Sequence, residues 1–147
     1  MAEKLHAVEK VKLNKITDLV TTKNQIRQEL ETYQFHAEIS LSENPEEIIL
    51  WANEALTYLA RTAKLIADAQ YHRDRKMRSE LVDQLKTITT LSASTANKFV
   101  ESLMEEESYL LKWAERLNAA FARQIDFSRT LISKAKEELK YTQTYGQ

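Results

Sequence analysis

The sequence has 147 residues but only one glycine, one proline and no cysteine. Average usage would place roughly ten glycines and seven prolines in a chain of this length. Sheet proteins need turn residues at many points, and this chain offers almost none. Good helix formers such as Ala, Leu, Glu, Lys and Gln are abundant instead. The composition therefore predicts an all-α fold with few connections, which we expect to form a single helical domain over residues 1–147.

The other absences limit the class of protein. Without cysteine there can be no disulfide and no thiolate metal site, which fits a reducing cytoplasm. The start of the sequence is charged throughout and has no apolar signal core. No apolar run approaches the roughly 20 residues of a membrane span. We therefore expect a cytoplasmic protein with no membrane association.

The formal net charge of −1 argues against a general polycation. A chain that coats nucleic acid through its net charge would be strongly basic. Any anionic partner must therefore be bound through a local patch of cations.

Helix signals interrupt the chain at two places. In residues 40–47, Asn44 can cap a helix, Pro45 suits its first turn, and the glutamates that follow favour its positive end. Residues 87–95 are rich in Ser and Thr, which can close one helix and cap the next, and we place the turn at residues 90–92. The sequence thus predicts three helices, over about 3–36, 45–88 and 93–141.

The second and third of these helices would each span on the order of 60–70 Å. A compact globule of this length has a radius of gyration of about 15 Å. Helices of this length do not fit a compact monomer, so either they kink or they form an elongated hairpin. We expect an elongated bundle of three long helices, in which the second and third form an antiparallel hairpin, and a kink of the second helix near Tyr71–Arg75 stays open. The hairpin would bury its flank against other copies, as a homo-oligomer. Apolar residues at helical spacing support it, on the second helix (Ile48, Ala52, Ala55, Leu59, Ala63, Ile66, Met77, Leu81, Ile88) and on the third (Ala96, Val100, Leu103, Leu110, Ala114, Leu117, Phe121, Ile132, Ala135, Leu139).

Residues 71–78, YHRDRKMR, concentrate four fixed cations in a nearly neutral chain. Helical spacing places most of the nearby cations opposite the apolar stripe, where we expect them to be exposed. Such cations can neutralise a phosphate backbone, and an aromatic side chain can stack on unpaired bases. The alternative is an ordinary solvated helix face with local acidic partners. The candidate nucleic-acid-binding residues are Arg61, Lys64, Tyr71, His72, Arg75, Lys76 and Arg78.

Arg73 differs from these cations because it falls on the apolar stripe of the second helix. Glu107 falls on the apolar stripe of the third helix. If the turn is centred near residue 90, positions whose numbers sum to about 180 face each other, and Arg73 and Glu107 meet that condition. We predict a buried structural ion pair between them that fixes the register of the hairpin.

The remaining polar clusters do not predict catalysis. Residues 101–107, ESLMEEE, could attract a hard cation, but such sites normally need loop oxygens around the ion. His6, His36 and His72 form no zinc-binding motif, and no nucleophile elbow or glycine-rich phosphate loop occurs. We therefore expect no catalytic residue, no metal, no cofactor and no enzymatic activity.

One family shows a similar order of features. A Trp-containing helix precedes the basic stretch in LWANEALTYLARTAKLIADAQYHRDRKMR, a connection contains TLSA, and a long helix contains ARQIDFSRTLIS. Over about residues 45–140 this resembles the UvsY-type recombination mediators of tailed phages. The resemblance implies a small, oligomeric, helical protein that binds single-stranded DNA and helps to load a recombinase onto coated strands. It assigns the DNA contact to Arg61, Lys64, Arg73, Arg75, Lys76 and Arg78.

Two functions therefore remain open. The first is a non-enzymatic, oligomeric, single-stranded-DNA-binding protein that assists recombination or replication in a phage or mobile element. The second is a helical adaptor or inhibitor that binds a protein partner and has no direct nucleic-acid role. In the second case the acidic face of residues 101–107 would matter more than the basic stretch.

Overall fold

The computed structural model describes residues 18–145, and five helices lie wholly within them. They are α1 (Lys23–Ala37), α2 (Pro45–Asp83), α3 (Leu85–Thr89), α4 (Ala93–Leu103) and α5 (Glu105–Tyr145). This part of the chain contains no strand, so the predicted all-α class is confirmed. None of its helices combines the length and the apolar character needed to cross a membrane.

The helix starts follow local capping chemistry. The Asn44 side chain accepts a hydrogen bond from the Glu46 N–H at 3.0 Å, and Pro45 opens α2 as predicted. The predicted first helix over 3–36 is interrupted, because residues 20–22 are not helical and α1 starts anew at Lys23, where Thr22 forms a capping box with Gln25. The predicted start of that helix at residue 3 lies outside the described residues.

The turn predicted at residues 90–92 is confirmed, with Thr90 ending α3 and the Ser92 hydroxyl capping α4. Two further interruptions were not predicted. Gln84 separates α2 from α3 with φ −103° and ψ 11°, and Met104 separates α4 from α5 with φ −114° and ψ 25°. Since neither residue is glycine or proline, composition could not mark these positions. The long segments 45–88 and 93–141 are therefore each divided into two helices.

α2 and α5 pack antiparallel along most of their length. The Asn118 amide donates to the Leu59 carbonyl and to the Thr62 hydroxyl, both at 2.8 Å. Further along, Arg73 Nε donates to the Ser108 hydroxyl at 3.2 Å. The residue numbers of these pairs sum to 177, 180 and 181, which is the register expected for a turn near residue 90.

α1 lies in the groove between these two helices. It is tied to α5 by the Trp113 indole, which donates to Gln34 at 3.0 Å, and by the Gln124 amide, which donates to the Ala37 carbonyl at 2.7 Å. Apolar side chains from all three helices meet here, and burying them is the main source of stability. α3 and α4 contribute no buried residue. The core consists of Ile26, Leu30, Trp51, Ala55, Leu65, Ala69, Leu111, Ala114, Leu117, Phe121 and Ile125.

Part of the predicted core is wrong, because α1 packs against α2 and changes which of its residues are buried. Ala63 and Leu81 were placed on the buried stripe of the second helix, and both are exposed. The buried positions of α2 include Trp51, Ala55, Thr62, Leu65 and Ala69, so its buried face is rotated towards α1. On α5, the predicted core residue Leu139 is likewise exposed.

Candidate nucleic-acid interface

Arg61 and Lys64 hold the start of α1 against α2. The Arg61 guanidinium binds both carboxylate oxygens of Glu29, through Nη2 at 2.6 Å and Nε at 2.7 Å. The Lys64 ammonium donates to Asp68 at 2.6 Å and to the Leu19 carbonyl at 3.1 Å. The face predicted to be open to solvent is thus partly covered by the segment leading into α1. A phosphate would have to displace these contacts to reach either cation.

The Arg61–Glu29 pair is electrostatically tight. The hydrogen bond from Arg61 outweighs burial and lowers the pKa of the Glu29 carboxyl, and the same bond raises the pKa of Arg61. Burial, together with a hydrogen bond to Glu29, raises the pKa of the Tyr33 hydroxyl to about 12. All three groups therefore keep one charge state over the physiological range.

Three further candidates also have partners within the chain. His72 Nε2 lies 2.7 Å from the Thr21 carbonyl oxygen, and the half-buried Tyr71 ring meets His72 edge-on at 5.8 Å. Lys76 pairs with Glu80 at 3.0 Å, and this hydrogen bond raises the pKa of Lys76. These side chains are less available to a strand than the sequence predicts.

Apart from Lys64, which is exposed but paired with Asp68, Arg75 and Arg78 are the predicted candidates that remain exposed. Neither makes an ion pair with any of residues 18–145. They lie within one helical turn of each other near the end of α2. Among the described residues, the basic stretch thus leaves two exposed cations without an ion-pair partner, which are open to an external partner.

The predicted ion pair between Arg73 and Glu107 is not formed within the described residues. Glu107 is 5% exposed and accepts a hydrogen bond from the Lys23 ammonium at 2.8 Å, while Arg73 binds the neighbouring Ser108. The register predicted for α2 against α5 agrees with these contacts, but the cation that pairs with Glu107 comes from α1. No local sequence signal pointed to Lys23, which is 84 residues from Glu107.

The Lys23–Glu107 contact is a charged pair rather than a neutral one. Burial would raise the pKa of the Glu107 carboxyl, but the hydrogen bond and charge of Lys23, with a backbone hydrogen bond, outweigh it and lower that pKa. The hydrogen bond to Glu107 in turn raises the pKa of Lys23. Glu106 beside it pairs with Arg27 at 2.8 Å, so the acidic stretch also anchors α1.

Two open grooves flank the junction of α4 and α5. The larger has a volume of about 830 Å³, and its walls carry three cations, Arg73, Lys98 and Lys112, and three carboxylates, Glu101, Glu105 and Glu115. The smaller, about 510 Å³, lies against Lys23, Lys76 and residues 105–107. Neither has an excess of positive charge. No group of three or more His, Asp or Glu side chains in residues 18–145 is placed to hold a metal ion.

A second basic surface, which the sequence analysis missed, runs along α5. It extends from Tyr109 to Lys134, and its six residues are separated by three, four, seven, four and seven positions, so they share one side of the helix. All are exposed, and the two aromatic rings, Tyr109 and Phe127, are 63% and 55% exposed. The row is about 38 Å long at the rise of an α-helix. We call it the α5 outer face: Tyr109, Lys112, Arg116, Arg123, Phe127 and Lys134.

The charge on this face is available to a partner. Between Tyr109 and Lys134 the sequence has five Lys or Arg residues and only two acidic ones. Asp126 is held by Arg129 at 3.2 Å, and Lys134 lies 3.9 Å from Glu138. Lys112, Arg116 and Arg123 form no ion pair with the described residues. The helical spacing was the only sequence signal, because these cations are scattered rather than consecutive.

Cations interleaved with exposed aromatic rings can bind single-stranded nucleic acid. The cations neutralise phosphates and release counterions, while the rings offer stacking surfaces that accept any base. Comparison with known proteins finds no matching family model, no matching curated protein and no matching solved structure. The resemblance to UvsY-type mediators therefore remains a prediction.

Proposed function

We propose that this chain is a non-enzymatic, oligomeric helical protein of the cytoplasm that binds single-stranded DNA and assists recombination or replication in a phage or mobile element. The DNA would lie along the α5 outer face of an elongated three-helix bundle. The observation that carries the proposal is a set of three exposed cations, Lys112, Arg116 and Arg123, set between the exposed rings of Tyr109 and Phe127. None of the three has an ion-pair partner among residues 18–145.

The predicted α2 surface has a smaller part in this proposal. Arg61, Lys64, His72 and Lys76 already have partners in the chain, and breaking such contacts reduces what a phosphate contact gains. Arg75 and Arg78 remain as a secondary patch. Several copies in one assembly would multiply weak contacts through avidity.

The first test is a titration of a labelled oligothymidine, followed by fluorescence anisotropy at about 50 and 200 mM salt. Three phosphate contacts to a single strand predict a slope of about −2 in log affinity against log salt, which is an affinity loss of about 20-fold over this range. Absence of binding at the lower salt, or an affinity insensitive to salt, would contradict the proposal.

The second candidate is the adaptor or inhibitor that binds a protein partner. The observation that favours it is a pair of exposed apolar side chains at the break between α2 and α3, where Val82 is 76% exposed and Leu85 is 60% exposed. Such a protein would keep its biological activity after charge reversal of Lys112, Arg116 and Arg123. A DNA-binding protein would lose its activity in the same variant.

A further inference from the structure

The solvent-facing side of α2 carries very little charge. Of its ten exposed residues between positions 48 and 69, only Glu54 and Lys64 are charged, and Lys64 is bound to Asp68. α5 shows the opposite pattern, since six of its nine exposed residues between 111 and 131 are charged. An exposed helix face without charge is typical of a protein interface. We call it the α2 outer face: Ile49, Asn53, Leu56, Ala60, Ala63 and Ala67, all exposed.

The spacing of these six residues is that of a helix-packing seam. Successive members are separated by four, three, four, three and four residues, which is the repeat by which two helices interlock their side chains. Three consecutive members are alanine, and small residues let two helix axes come close. The seam is about 27 Å long. It lies outside the intramolecular core, whose α2 members include Ala55, Leu65 and Ala69.

We propose that the α2 outer face binds the same face of a second copy, with the two α2 helices antiparallel about a twofold axis between Ala60 and Ala63. In this register Leu56 lies opposite Ala67 of the second copy, so a large side chain meets a small one. Ala60 then lies opposite Ala63 of the second copy. A twofold interface must be self-complementary. In this register the central residues Leu56, Ala60, Ala63 and Ala67 face one another, while Asn53 and Ile49 lie opposite Gln70 and Asp74 of the second copy.

Charge complementarity identifies a second copy as the occupant and sets its direction. α2 begins with exposed Glu46 and Glu47, and it carries exposed Arg75 and Arg78 in its last third, before it ends at Asp83. Antiparallel pairing brings Glu46 of one copy beside Arg75 of the other, and symmetry repeats this contact at both ends. Parallel pairing would place like charges together, which disfavours it. The interface uses no residue of the α5 outer face, so it stands independently of the proposed DNA binding.

The first test is the mass of the full chain in solution, measured by sedimentation over a range of concentrations. We expect at least twice the chain mass of 17.1 kDa for the wild type. Ala60→Glu/Ala63→Glu sets four carboxylates against one another in the seam and should give the mass of one chain. The matched control, Ala93→Glu/Ala119→Glu, alters two exposed alanines on α4 and α5 and should keep the wild-type mass. Both variants should keep the wild-type circular dichroism.

The second test uses the absence of native cysteine to determine the direction. Mixing Leu56→Cys chains with Ala67→Cys chains should give a disulfide-linked dimer under mild oxidation, whereas Leu56→Cys alone should give none. A monomeric wild type, or a wild-type mass for the Ala60→Glu/Ala63→Glu variant, would overturn the interface. Efficient cross-linking of Leu56→Cys with itself would overturn the antiparallel arrangement.

Discussion

α2 and α5 are helices of 39 and 41 residues that pack against each other, and their buried faces are alike. Their outer faces differ. That of α2 carries three alanines, two larger apolar side chains and one asparagine, whereas that of α5 carries four cations and two exposed rings. The similarity accounts for the fold, because either buried face serves as one half of a hairpin. The difference matches the two tasks that we propose, self-association on α2 and binding of a polyanion on α5.

The cations of the two helices differ in the same way. On α2, Arg61 and Lys64 are held by Glu29 and Asp68, and they fasten the start of α1. On α5, Arg116 and Arg123 are exposed along one side and form no ion pair within the part of the chain that the structure describes. A local density of Lys and Arg in the sequence is therefore a poor guide to an anion site, because it does not show which cations the fold itself uses.

The largest effect should come from reversing charge on the α5 outer face. Lys112→Glu/Arg116→Glu/Arg123→Glu should weaken binding of an oligothymidine at low salt by about 100-fold or more, because three phosphate contacts become repulsive. Fluorescence anisotropy measures this loss, and the solution mass should stay that of the wild type.

The matched control for that variant is Lys86→Glu/Lys98→Glu/Lys136→Glu, which makes the same change in net charge at exposed sites elsewhere. We expect its affinity to fall by less than about 10-fold, through the long-range field alone. Equal losses of affinity in the two variants would mean that DNA binding depends only on the net charge of the protein. The α5 outer face would then have no special role.

A smaller effect should come from the two rings. Tyr109→Ala and Phe127→Ala should each weaken binding by about 5- to 10-fold, since stacking on one base contributes roughly 1–3 kcal/mol. Tyr109→Phe should bind like the wild type, and Phe35→Ala, which removes an exposed ring on α1, should also have no effect. If Phe35→Ala weakens binding as much as Tyr109→Ala, the α5 outer face has no special role for its rings.

The smallest effect should come from breaking the pair between Arg61 and Glu29, which makes Arg61 less available to an external partner. Glu29→Gln should lower the free energy of unfolding by about 1 kcal/mol at neutral pH, after allowance for partial exposure of the pair. Because the pKa of Glu29 is lowered in the folded state, this contribution is complete above its usual value of 4.5 and is lost as the pH falls through the folded value.

Urea unfolding at pH 7 and at pH 3 measures this difference between Glu29→Gln and the wild type. Glu31→Gln, an exposed neighbour on α1, should cost little at either pH. An equal cost for Glu29→Gln at both values would show that the pair contributes through packing rather than charge. DNA affinity at neutral pH should be unchanged in both variants.

Local signals accounted for part of the structure. The Asn44–Pro45 helix start and the turn at residues 90–92 rest on capping chemistry that is complete within a few residues. The register of α2 against α5 follows from the position of that turn. The breaks at Gln84 and Met104 carry no glycine or proline, and nothing local marked them.

Contacts between segments distant in the chain could not be predicted from the sequence. The Lys23–Glu107 pair joins residues 84 apart, and the sequence does not show where α1 crosses the hairpin. The same uncertainty made Arg61 and Lys64 appear to have no partners in the first part of the chain, although Arg61 binds Glu29 and Lys64 binds the Leu19 carbonyl. The row on α5 was detectable from its spacing, but it attracts less attention than the consecutive cations of residues 71–78.

The most direct test of the central claim is photochemical cross-linking of a thiothymidine oligonucleotide to the wild-type protein, followed by mapping of the attached peptides by mass spectrometry. We expect the cross-links in peptides that contain Tyr109 and Phe127, on the α5 outer face. Cross-links concentrated in residues 71–78 of α2 would contradict the account and return the DNA site to the basic stretch.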